Sequence, residues 1–211
     1  MKRFVLLTLP LLAACGPKYG MRVPDEMVTQ LSYETRIELL EAENDLALAI
    51  DKVDEASSEI VRARDNIRRA RSRAQDAEKE LERADDAVSR EVAQLTIEEA
   101  EARVEYLRAR QRLNVSLQEV EQLALRCAFA RFEVARVTAA RKAKVAGSEE
   151  LDPKEFEAQA AECAAEEKEL RAELASENSD EKAAREAWEA KKAALAKKTF
   201  DARTSPYVEN L

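Results

Sequence analysis

The chain has 211 residues, a formal net charge of −8, no histidine, three glycines and 5% aromatic residues, while 37% are Asp, Glu, Lys or Arg. So few turn formers exclude a hairpin-rich all-β fold, and so few aromatics argue against the close-packed core of an α/β enzyme. Absent histidine removes the usual general base, the Ser-His-Asp triad and the commonest zinc ligand, whereas abundant Ala, Glu, Lys, Arg and Leu predict long helices or coiled coils.

The chain opens with Met1-Lys2-Arg3, an apolar run from Phe4 to Leu12 and the small residues Ala13-Ala14 before Cys15. That is the layout of an export signal, and the apolar run is far shorter than the ~20 residues a spanning helix needs. Leu12-Ala13-Ala14-Cys15 resembles the lipobox of bacterial lipoproteins. The resemblance covers residues 1–16. It implies a signal peptide over 1–14, cleavage before Cys15, a diacylglyceryl thioether on that cysteine and acylation of the new amino terminus. Gly16 stands where an aspartate would retain such a protein in the inner membrane, so the resemblance implies the periplasmic face of the outer membrane. Loss of Lys2 and Arg3 takes the formal charge to −10, which argues against nucleic acid as a partner.

Residues 15–24 hold two of the three glycines and two of the five prolines, and read as a flexible leash between lipid and body. The next 122 residues contain neither glycine nor proline. Within them runs a stripe of period near 3.5: Ala63, Ile67, Ala70, Ala74, Ala77, Leu81, Ala84 and Val88, then Leu95, Ala102, Tyr106, Ala109 and Leu113. Leu46, Ile50, Val53 and Ile60 extend it upstream after one phase slip, and Leu117, Val120, Ala124, Cys127 and Val134 extend it downstream after another. The expected fold is all-α, a long antiparallel α-helical hairpin or coiled coil. Its body fills 25–200, with a long helix over about 25–140 and a return helix over about 153–200.

Continuity through Leu95 is favoured by the unbroken phase, and would give a helix ~180 Å long whose first half needs a partner from another copy. The alternative is a three-helix bundle with a break near Leu95, where Thr96-Ile97-Glu98-Glu99 matches a capping box. Such a break would lay Arg64, Arg68, Arg69, Arg71 and Arg73 beside Glu162, Glu166, Glu167, Glu169 and Glu173. It would also bring Lys191, Lys192, Lys197 and Lys198 to Glu91, Glu98, Glu99 and Glu101. Phe129, Phe132 and Leu125 widen the apolar face and call for a further neighbour there. Trp188, with Ala184 and Leu195 at helical spacing, reads as a seam anchor.

Gly147 follows Arg141, Lys142 and Lys144 and reads as a helix-ending C′ glycine. Asp152-Pro153-Lys154-Glu155 is a clear helix start, with a capping aspartate, proline at the first helical position and a glutamate three residues on. Residues 201–211 read as a disordered tail.

With Cys15 taken as the lipid carrier, Cys127 and Cys163 form an even pair in an oxidising compartment, both on apolar seams. A bridge requires them level across a hairpin, which would end the first arm near Thr138, short of Gly147. Two buried thiols are the alternative. No phosphate loop, nucleophile elbow or metal cluster occurs, and neither cofactor nor small-molecule substrate is expected. The expected function is that of a lipid-anchored periplasmic coiled-coil spacer or scaffold, working through self-association or envelope proteins at its seams. A periplasmic holdase-type chaperone with helical arms is the alternative, and an enzyme is not expected.

Overall fold

The computed structural model describes residues 18–199. Two short helices, α1 (Asp25–Thr29) and α2 (Tyr33–Ile37), lead into three long ones: α3 (Leu40–Arg83), α4 (Ala87–Lys142) and α5 (Pro153–Thr199). No strand occurs among the described residues, so the all-α expectation holds.

The uninterrupted helix over 25–140 does not. The chain breaks at Ala84, whose backbone is extended (φ −70, ψ 118), and restarts from Asp86 as N-cap. The Asp86 carboxylate accepts from the backbone N–H groups of Val88 and Ser89, both at 2.8 Å, and from the Ser89 hydroxyl at 2.6 Å. An aspartate followed three residues later by serine thus performs, without glycine or proline, the reversal expected near Leu95. Leu95 itself lies inside α4. Thr96 caps nothing: its hydroxyl donates to the Val92 carbonyl one turn back, at 2.8 Å.

The reversal folds α3 onto α4, and the tip at 143–152 folds α5 onto it as well. Both flanking helices pack along α4 and scarcely on each other, so α4 is the middle of an open three-helix layer. α3 contributes a face of Ala49, Ala56, Ile60, Ala63, Ile67, Ala70 and Ala77. Alanine layers bury little area each, and the contact compensates by running the whole helix. On the other flank Tyr106, Ser116, Cys127 and Val137 meet α5. Their spacings of 10, 11 and 10 fit one continuous heptad register, so the slip expected near Leu117 is absent from this seam. With 56 residues in α4, the rod is roughly 84 Å long, less than half the reach of an unbroken helix. From Ile60 to Ala77 most of the stripe is buried against α4, whereas Ile50 stays 46% exposed and the α3 face there is formed by Ala49 and Ala56 instead.

The expected charge pairing is met in part. Lys191 reaches Glu98 at 2.8 Å and Lys198 reaches Glu91 at 2.5 Å. Arg64, Arg68 and Arg71 do not meet the α5 glutamates, because α4 separates the two helices. Arg73 turns inward to the fully buried Glu99 at 3.5 Å, which also accepts from the Trp188 indole N–H at 2.8 Å. Trp188 stacks on Tyr106, with centroids 5.2 Å apart and planes 5° apart. Its reading as a seam anchor holds.

At the tip the helix stop differs from expectation. Lys144, not Gly147, takes the left-handed C′ position (φ 53). Val145 N–H donates to the Ala140 carbonyl and Lys144 N–H to Arg141, each at 3.1 Å, and Val145 packs with Ala140, the two bonds and the apolar contact of a Schellman ending. Gly147 serves a second turn (φ 81) into a 3-10 turn at Ser148–Glu150. A Cβ there would also stand 3.1 Å from the Met27 methyl. Asp152 then accepts from Lys154 N–H at 3.0 Å, as its N-cap reading requires.

Candidate functional site

The most specific polar construction in the molecule lies where residues 18–24 cross α4 and α5. That segment, expected as part of a flexible leash, is a docked strap: Tyr19 and Val23 are 7% and 2% exposed. Tyr19 holds a left-handed backbone (φ 65) and fits among Leu123, Cys127 and Cys163, with Leu170 alongside. Val23 packs with Val137 and Phe156.

Three side chains on the long helices receive the strap's polar groups. Gln159 accepts from Met21 N–H at 3.1 Å. Glu133, with no exposure at all, accepts from Val23 N–H at 2.7 Å through one oxygen and from Arg136 at 2.9 Å through the other. Arg136 passes its second nitrogen to Asp25 at 2.5 Å. A buried carboxylate thus satisfies a backbone donor and a guanidinium together, the condition under which burying it is tolerated. Beside this network Arg22 sits 3.7 Å over the Phe129 ring, Phe129 meets Phe132 edge-on at 6.2 Å, and Arg136 lies 5.5 Å from the Phe132 centroid. Phe129 and Phe132 have the further neighbour the sequence called for, but it is the strap and its arginine rather than another helix.

Glu166 closes the strap's upstream end. Lys18 donates to it at 2.5 Å, and the Tyr19 hydroxyl donates to the same oxygen. The Lys18 hydrogen bond, then that of Tyr19, holds the Glu166 carboxyl below the usual glutamate range. Lys18 is correspondingly raised above the usual lysine range by Glu166. Burial, followed by the bond to Glu166, pushes the Tyr19 hydroxyl up. The outer side of the pair is wet, with both side chains about half exposed, so solvent screens it. The buried Glu133 network is the stronger grip.

Cys127 and Cys163 stand directly beneath the strap, joined in disulfide geometry with Cα atoms 5.4 Å apart. The expected conflict between this level and the length of α4 is resolved by the tip. α4 runs about one turn past the start of α5, to Lys142, and the chain descends before Pro153. Arg141 holds the descending strand by donating to the carbonyls of Ser148 at 3.3 Å, Glu149 at 3.0 Å and Leu151 at 3.4 Å. Cys15, the expected lipidation residue, lies outside the described residues, three positions before Lys18. So do residues 1–14, read as a signal peptide, and residues 201–211, read as a tail.

Tyr19, Glu133 and Gln159 were not singled out by the sequence, and Glu166, expected beside the α3 arginines, is taken by Lys18 and Tyr19 instead. The one available signal was Glu133 and Arg136, charged residues embedded in the widened apolar face around Phe129 and Phe132. Among the described residues no group of three or more acidic or cysteine side chains could hold a metal ion, and no helix is long and apolar enough to cross a membrane. No protein-family model matches the chain, and no curated protein or solved structure matches it either.

Proposed function

We propose that the chain is a lipid-anchored spacer or scaffold of a bacterial cell envelope, tethered through Cys15 to the periplasmic face of the outer membrane and recruiting proteins by its helix surfaces. The reading assigns it no reaction and no cofactor. What supports it is the strap. The chain is gripped by the rod three residues after the lipobox cysteine, a distance of at most ~10 Å along an extended backbone. A load on an acyl anchor at Cys15 would pass into a rigid, bridged hairpin with little slack. Several acyl chains would give stable anchoring, at about 0.8 kcal/mol per buried methylene.

The test is Cys15→Ser in a Gram-negative host. The parent chain is expected in the outer-membrane fraction, with the mass of a triacylated amino terminus. The variant is expected to lose that mass and leave the membrane. A parent chain found unacylated, or a variant that stays membrane-bound, would overturn the reading.

A further inference from the structure

The place where the strap begins on the rod fixes how a tethered rod can stand. Lys18 bonds Glu166, and Tyr19 rests on Cys127 and Cys163, so the strap starts beside the bridge. At 1.5 Å per residue that level lies ~60 Å from the start of α4 at Ala87 and ~22 Å short of its end at Lys142. From there the strap runs toward the tip, where Val23 reaches Val137 and Phe156. The chain's start therefore meets the rod along its side, well away from either end.

Cys15 lies three positions before Lys18, at most ~10 Å along an extended backbone. An acylated cysteine sits in the headgroup layer, which is about 5–8 Å deep on each side of the hydrocarbon. A rod standing on its tip would carry Lys142 ~12 Å below that cysteine, into the hydrocarbon. Arg141, Lys142, Lys144, Glu149, Glu150 and Asp152 are all exposed at that end, and charged side chains are costly in hydrocarbon. A rod standing on its other end would sink ~50 Å, taking the exposed Arg83, Asp85, Asp86 and Arg90 through the bilayer. No described helix is long and apolar enough for such a crossing. Both upright poses fail for one reason: the tether is shorter than either arm of the rod.

We infer that the docked strap lays the rod along the bilayer surface, strap side toward the headgroups and within roughly 30° of the membrane plane, the tilt at which the shorter arm uses up the tether. The inference rests on lipidation of Cys15. It also narrows the proposed function. The far end rises no more than ~40 Å above the anchored cysteine, so the partners recruited lie close to the membrane, and the molecule is a scaffold along the bilayer rather than a spacer reaching away from it. The hold of Glu133, Gln159 and Glu166 on the strap sets this pose. Were the strap freed, the tether would lengthen to ~30 Å and the rod could stand.

The test uses the full chain purified with its acyl groups from a Gram-negative host and inserted in a supported bilayer of phosphatidylethanolamine and phosphatidylglycerol. Neutron reflectometry then measures the thickness of the protein layer. A layer thinner than ~60 Å is expected, against ~84 Å for an upright rod. A variant with about twenty Gly and Ser residues inserted between Gly16 and Pro17 lengthens the tether without touching the strap, and its layer is expected to thicken toward the upright value. Acylation is checked by mass in each preparation, and strap docking by slow hydrogen exchange at Met21. An acylated parent chain whose layer reaches ~84 Å would overturn the inference and leave the lipid anchor standing. An insert variant with a layer as thin as the parent's would overturn it too, by removing the short tether as the cause. An unacylated Cys15 would overturn both the inference and the reading beneath it.

Discussion

Glu133 shows how one residue can decide where a terminus goes. Its carboxylate is fully buried and binds partners 110 positions upstream and three downstream. Glu133→Ala is therefore expected to leave Arg136 short of a buried acceptor and Val23 N–H unmatched, destabilising the docked strap by about 3 kcal/mol. Trypsin should then cut after Lys18 and Arg22 at least tenfold faster, while the helices keep their circular dichroism. The outer contact is weaker and pH-dependent. Glu166 has a lowered pKa in the folded chain, so its contribution is complete above the usual glutamate range near ~4.3 and is lost as pH falls through the lower folded value. Lys18 is raised, so its contribution is complete below the usual lysine range near ~10.4 and is lost as pH rises through the higher folded value. Hydrogen exchange at Met21 should be slow across the interval between, after correction for intrinsic rates, and faster at both extremes.

At the scale of the element, the helix ends carry information that composition does not. The stop after Lys142 forces a lysine into the left-handed region, which costs an L-residue about 1 kcal/mol relative to glycine. Lys144→Gly should raise stability by up to that amount in urea titration, and no change would contradict the Schellman assignment. The pairing of α4 with α5 is reinforced by the Cys127–Cys163 bridge, which closes a loop with a sequence separation of 36. In the chain-entropy model such a closure contributes roughly 3–4 kcal/mol. Cys163→Ala should lower stability by about that much and also speed exchange in the strap, because Tyr19 rests on the bridge.

For the whole molecule, the important fact is that α4 has a neighbour on both flanks. A single helix of 56 residues could not do this with one narrow seam, and α4 buries residues as different as Ile97, Glu99, Ala100 and Arg103 within two turns. The result is a rod of about 84 Å with two distinct ends and a groove on one face. Residues 18–24 lie across one face of the rod. The all-helical rod, the start at Asp152-Pro153 and the Trp188 anchor were legible, because each is written in residues a few positions apart, whereas the single seam through Tyr106 and Cys127 was read as two stripes offset by a slip.

The sequence by itself determined that the chain is helical, that its helices carry apolar seams, that α5 begins after Asp152 and that the two seam cysteines could meet. Those properties follow from spacing, caps and composition, which act locally. Tertiary structure alone decided that the first reversal falls at Asp86 rather than near Leu95, that α4 sits between its neighbours, and that residues 18–24 are gripped rather than slack. The reason is physical: a capping aspartate competes with many similar local options, and a glycine- and proline-rich segment has no packing preference of its own. Only the burial of Tyr19 and Val23 against distant side chains, and a buried glutamate that needs a donor, make one of those options the folded one.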